Sequence, residues 1–199
     1  MIDGAVSNAV SGLLAESARL LGQVDEAMAQ QFVPILDAAA ARPVTGAATP
    51  FPLGPYPDLA PLASAETTAA IVQVAAADPF IGWGHPPEEF VPPGWAHGAA
   101  AATLLGPTGA IEGPDSDVFG LFYLSPGLDY ADHWHDAEEF YLVLAGSAEW
   151  TVGDTTATYG PGDYTRTPSQ AVHRIVTRDQ PVLAIWGWSG DTSFDSYGY

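Results

Sequence analysis

Neither cysteine nor lysine occurs in this chain. The first absence excludes disulfides, thiolate nucleophiles, iron–sulfur clusters and cysteine-bound zinc. The second excludes lysine Schiff-base chemistry, including the usual attachment of pyridoxal phosphate. Basic residues are scarce altogether: five arginines stand against 24 acidic residues, for a formal charge of −19. Such a surface repels phosphate backbones and anionic membrane leaflets, so neither nucleic acid nor a membrane is an expected partner. Long apolar runs are missing too. No stretch reaches the about 18 apolar residues that a spanning helix needs, and residues 1–20 lack the basic start of a signal peptide. The cytoplasm is the default expectation.

What is present suits one domain. A chain of 199 residues, 47% of them hydrophobic, can bury a sizeable core with helices to spare. Residues 5–41 read as helical, with Leu13, Leu14, Leu20, Leu21, Val24 and Met28 at roughly helical spacing. Pro34 should mark a kink or a new helix start. The proline-rich stretch 43–62 predicts a wrapping loop. Residues 64–77 predict another helix, with Ser64 as N-cap. Residues 78–94 are again rich in Pro, Gly and aromatics. Beyond them the pattern changes to short strands with Gly-rich turns, at 97–105, 118–125, 138–145, 147–153, 155–159, 163–166, 172–177 and 181–188. The expectation is a mainly β protein, a small antiparallel barrel or jelly roll preceded by N-terminal α-helices. The helices and wrap (1–94) should pack on the barrel (95–199) as one structural unit.

Three of the five histidines fall in two organised segments. Residues two apart on a strand share a face, so His133 and His135 can converge on one ion, and Glu139 shares a face with Tyr141. A later strand offers His173. Three imidazoles and a carboxylate suit one divalent first-row metal such as zinc, iron, manganese, cobalt or nickel, with open positions for substrate.

The spacing G-x5-H-x-H-x3-E-x6-G over residues 127–146 resembles the first motif of the cupin superfamily in full. Residues 162–177 resemble the second motif, G-x5-P-x-G-x2-H-x3-N, but carry Gln170 where the motif has Gly and Thr177 where it has Asn. The string HWHDAEEFYLVLAGSAEW, with Tyr130 before it, is similar to the cupin-type dimethylsulfoniopropionate lyases, which also carry a helical extension ahead of the barrel. That resemblance implies a carbon–sulfur lyase giving dimethyl sulfide and acrylate. It also implies a site of Tyr130, His133, His135, Glu139, Tyr141 and His173. Whether His133 or Tyr141 completes the metal's ligand set stays open, as does the metal's identity. Cupin barrels often dimerise by pairing strands, so a homodimer is a further expectation.

The reaction suits these residues. β-Elimination removes a weakly acidic proton next to a carboxylate while a neutral sulfide leaves. A divalent metal can stabilise charge at the carboxylate. Tyrosine is a poor base near its ordinary pKa of about 10 unless a cation favours the phenolate. Tyr141 is the expected base and Tyr130 the alternative. Trp150, Tyr164, Trp186 and Trp188 are candidate cation–π partners for the sulfonium of this small-molecule substrate. Arg166 and Arg174 read as surface ion-pair partners. Two other functions fit the metal motif: an iron-dependent cupin dioxygenase or isomerase acting on another small molecule, and a non-catalytic cupin that binds one. Oxygen consumption with iron separates the first from a lyase; a regulatory output domain would mark the second, and no basic recognition helix is present.

Overall fold

The computed structural model describes residues 4–54, 57–85 and 97–199. Helix α1 spans Gly4–Leu21 and α2 spans Ala27–Ala40. The break falls at Gly22, whose amide bonds to Ala18 O at 2.9 Å before the chain leaves the helix. Pro34 lies inside α2, so of the two expectations, a kink or a new helix start, the second does not hold. The backbone bond that Pro34 forfeits is offset by the face α2 buries, Met28, Ala29, Phe32, Leu36 and Ala39, at amphipathic spacing. Burial of a side chain such as Phe32 or Leu36 stabilises by about 1.5–3 kcal/mol. Within the described part of the proline-rich stretch, a 3-10 turn forms at Ala60–Leu62. Helix α3 spans Thr68–Ala77. Its N-cap is Thr67, not Ser64 as expected; Ser64 closes the turn ahead of it, its amide donating to Thr67 Oγ1 at 3.0 Å and the Thr67 amide donating back to Ser64 Oγ at 3.3 Å. No helix among the described residues is long and apolar enough to cross a membrane.

The strands are β1 (Trp83–Gly84), β2 (Ala99–Gly106), β3 (Ile111–Glu112), β4 (Asp117–Leu124), β5 (Asp129–His133), β6 (Glu138–Gly146), β7 (Ala148–Val152), β8 (Thr155–Tyr159), β9 (Tyr164–Thr167), β10 (His173–Val176) and β11 (Val182–Ser189). The expected strands are all present, while β1, β3 and β5 are additions. The expected boundary at 94/95, with the part of segment 78–94 after His85, lies outside the described residues. One sheet has the order β1-β2-β4-β11-β6-β9, with β3 beside β2; the other has the order β5-β10-β7-β8. Mainly antiparallel strands behind N-terminal helices are what the sequence predicts. Gly146 ends β6 at φ +72, and a Cβ there would lie 1.8 Å from Pro181 O, so this position of the first motif admits only glycine.

Alternation of side chains gives the larger sheet two buried faces. Phe119, Leu121, Phe140, Leu142 and Ile185 join the helices in one core; the Phe32 ring sits 5.1 Å from Phe140 and 6.2 Å from Phe119. The opposite face, with Phe122, Tyr141 and Val143, packs on Trp150 and Ile175 of the second sheet. Gly187 is what lets Phe140 lie flat on β11, since a Cβ there would approach Phe140 Cε1 to 2.4 Å. Phe140 is fully buried and has nowhere to swing. Gly187→Ala should therefore destabilise by about 1–3 kcal/mol through overpacking. Thermal unfolding should show a loss of about 2–4 °C per kcal/mol. Gly84→Ala, with nothing within 4 Å of the new Cβ, should leave the melting temperature in place.

Candidate active site

Cross-strand register brings the chemistry together. Glu139 and Tyr141 sit two apart on β6, and their β11 partners are Trp188 and Trp186, so all four share the inner face. On the second sheet His173 of β10 pairs with His133 of β5, and Ile175 pairs with Tyr130. Between those pairs one residue of β10, Arg174, thus faces two of β5, Ala131 and Asp132. This bulge turns Tyr130 and His133 to the same side, with ring centroids 4.0 Å apart and planes 12° apart. Tyr130 therefore lies on a strand. His135 follows Trp134, which makes a two-bond bridge to Gly198.

Each imidazole is oriented by a backbone carbonyl two residues away. Nδ1 of His133, His135 and His173 bonds to the carbonyls of Ala131, Ala137 and Ala171 at 2.8, 3.0 and 2.9 Å. A carbonyl only accepts, so Nδ1 carries the proton and Nε2 keeps its lone pair. One ligand atom from each ring lies within 4.8 Å of the others, and all three rings are buried. Glu139 is 3% exposed. Its Oε1 accepts from Tyr141 Oη at 2.9 Å and from Trp188 Nε1 at 2.6 Å. Its Oε2 lies 3.2 Å from His173 Nε2 and 3.6 Å from His135 Nε2. Those last three atoms are buried without a hydrogen-bond partner. Buried polar atoms are rarely left so; a cation among them would satisfy all three, and the donor set fits a divalent metal.

Electrostatics follow from the packing. Burial works against a charge on Glu139; His135 and His173, when protonated, outweigh it and hold the carboxyl well below its usual range. Burial, then the adjacent His173, lowers His133 to about 3. Burial pushes the Tyr130 and Tyr141 phenols well above 10, and the Glu139 charge adds to this in both.

Above the cage opens a cavity of about 790 Å³ that takes in Tyr130, Glu139, Tyr141, Trp186, Trp188 and Tyr197. Of the four aromatic candidates, Trp186 and Trp188 line it, 5.5 Å apart and nearly perpendicular. Trp150 and Tyr164 do not. Trp150 is buried behind Tyr141, edge-on to Tyr159, and Tyr164 stacks on Phe140 on the helix side of the sheet. Arg166 and Arg174 pair with Glu138 and Asp129 at the surface, as expected. Gln170 adopts φ +62, so it takes the left-handed conformation that the motif's glycine would supply. Thr177 Oγ1, in the place of Asn, donates to Ser125 O at 2.6 Å and accepts from the Leu128 amide at 2.9 Å, fixing the turn before β5. Sequence reasoning missed Tyr197, whose hydroxyl lies 2.8 Å from that of Tyr130; His85 lines the same cavity. An aromatic C-terminus was the one available signal for Tyr197.

The profile of the dimethylsulfoniopropionate lyases matches residues 25–184. This chain belongs to that family. The dimethylsulfoniopropionate lyase DddQ of Ruegeria pomeroyi is 41% identical over 78 residues, a stretch that spans 39% of either chain. The crystal structure of that lyase superposes with a TM-score of 0.76 at 29% identity, covering 96% of this chain and 95% of the other. A structure described for the dimethylsulfoniopropionate lyases RdDddP and RnDddQII gives a TM-score of 0.72 at 24% identity, with 96% of each chain covered, which speaks to the fold alone.

In this family member the neutral His133 has a measurable consequence. Its pKa is depressed from 6.5 to about 3, so between those values the unfolded chain binds a proton that the folded chain does not. Stability of the metal-free protein should therefore fall as pH drops from about 6.5 toward 3. Denaturant unfolding at stepped pH should show that slope, and His133→Asn should flatten it. An unchanged slope would mean that His133 is not held neutral.

Proposed function

We propose that this protein is a metal-dependent dimethylsulfoniopropionate lyase that releases dimethyl sulfide and acrylate by β-elimination. One observation carries the proposal: the buried Glu139 carboxyl faces two unpartnered imidazole nitrogens, and Tyr141 stands beside it at the foot of an aromatic cavity. His133, His135, Glu139 and His173 are the proposed ligands of one divalent first-row ion. When bound, that ion supplies Lewis acidity toward the substrate carboxylate and favours the ionised form of a nearby phenol.

The remaining chemistry belongs to the chain. Tyr141 is the proposed base, supported by its place beside Glu139; Tyr130 lies in the same cavity as the alternative. The base oxygen takes the proton from the carbon next to the carboxylate. The C–H electron pair becomes the new C=C bond, and the C–S pair leaves on sulfur as neutral dimethyl sulfide. No general acid is needed. The cavity suits a cationic head: among the described residues Asp115 and Asp191 stand in its lining with Trp186 and Trp188, and no arginine does, which leaves the carboxylate end for the cage. We also read residues 1–94 and 95–199 as one folding unit, supported by the core that the helices share with β4, β6 and β11.

The test is headspace detection of dimethyl sulfide from purified protein loaded with each of several divalent metals. Release should require metal. It should fall about 10²–10⁴-fold in Tyr141→Phe, the range expected when a general base is lost. Absence of release with every metal, together with oxygen uptake when iron is bound, would replace the lyase by an oxygen-dependent cupin.

A further inference from the structure

The C-terminal segment enters the site from outside both motifs. Its backbone is clamped to the residue between His133 and His135: the Trp134 amide donates to Gly198 O and the Gly198 amide to Trp134 O, both at 3.0 Å. The Asp136 amide adds a bond to Ser196 Oγ at 2.9 Å. Gly198 is required for this fit, because a Cβ there would lie 2.4 Å from Trp134 Cζ2. The clamp lays the Tyr197 ring nearly parallel to His133 and His135, with centroids 5.5 and 5.9 Å away. It also sets the Tyr197 hydroxyl 2.8 Å from that of Tyr130, inside the cavity lining.

With the lyase reading as its premise, we propose that Tyr197 is a positioning residue for Tyr130, delivered by a C-terminal strap that Trp134 and Gly198 hold shut. Tyr130 stands on a bulged strand, and its ring rests on the His133 ring. The Tyr197 hydroxyl fixes the direction of the Tyr130 hydroxyl within the cavity. The Tyr197 ring walls that corner of the cage. Loss of the contact leaves the binding of a metal or of the onium group intact and misdirects the Tyr130 phenol within the cavity. Misplacement of this kind lowers kcat more than it changes KM.

Three variants separate the strap from general damage. Tyr197→Phe removes one hydroxyl, Gly198→Ala pushes the strap off Trp134, and Tyr199→Ala alters the exposed chain end. Two quantities are measured: dimethyl sulfide kinetics on the metal-loaded protein, and the ¹³Cζ resonance of Tyr130 in ¹³C-tyrosine-labelled protein without metal. Tyr197→Phe should lower kcat about tenfold with KM within about twofold and should shift the Tyr130 resonance. Gly198→Ala should reproduce both effects and Tyr199→Ala neither. An unmoved Tyr130 resonance, or an unchanged kcat in Tyr197→Phe, would overturn the proposal. Wild-type protein that releases no dimethyl sulfide would overturn the lyase reading instead, and the resonance would still decide the contact.

Discussion

A carboxylate removed from water must be paired, and Glu139 sets that demand on the whole molecule. Three atoms of its surroundings, Glu139 Oε2 and the Nε2 atoms of His135 and His173, are buried with no hydrogen-bond partner. Leaving such atoms unsatisfied costs about 1–3 kcal/mol each, more where charge is involved. A divalent ion bound there would remove the penalty and turn the liability into binding energy. The other oxygen is locked by Tyr141 and Trp188, and each imidazole is locked by a carbonyl two residues away. The donor set is therefore pre-oriented by its outer contacts, the condition under which metal sites hold their geometry.

Such a site has to stand on a sheet that water cannot reach from behind. The N-terminal helices provide this. Phe32 and Leu36 of α2 cover Phe119 and Phe140, so β4, β6 and β11 are closed on the helix side while their other face carries the chemistry. Space for a substrate comes from small residues on that second face. Gly120 stands opposite Trp186 on the neighbouring strand, and its lack of a Cβ keeps clear of the Ala102 carbonyl and the Trp186 indole. Ala101 and Thr103 of β2 continue the low wall. The strongly acidic chain uses its five arginines elsewhere, on Glu16, the Glu112 carbonyl, Glu138, Asp129 and Glu149. The cavity is left to aromatic rings and carboxylates.

Much of this was legible beforehand because it obeys short-range periodicity. The pair Glu139 and Tyr141 follows from two-residue alternation, and the glycine at 146 from a turn with no room for a side chain. What escaped depended on tertiary placement. Tyr130 and His133 are three apart, and only a bulge against β10 turns them to one side. Trp150 and Trp188 look alike as strand tryptophans. One is enclosed behind Tyr141 and the other reaches Glu139, a distinction set by which sheet each strand joins. Pro34 allowed either a kink or a new helix start, and the apolar face of α2 carries the helix through it. Tyr197 had no motif spacing to give it away, because Trp134 and Gly198 bring it in from more than sixty residues along the chain.

The central claim is that one ion held by His133, His135, Glu139 and His173 orients a zwitterion whose onium end lies against Trp186 and Trp188. The most direct test is a crystal structure of the zinc-loaded protein with an unreactive ammonium analogue of the substrate. The account predicts the analogue's carboxylate on the ion, its ammonium between the two indoles, and the carbon beside the carboxylate facing Tyr141. An ion ligated away from Glu139, or an ammonium group turned into the histidine cage, would contradict it.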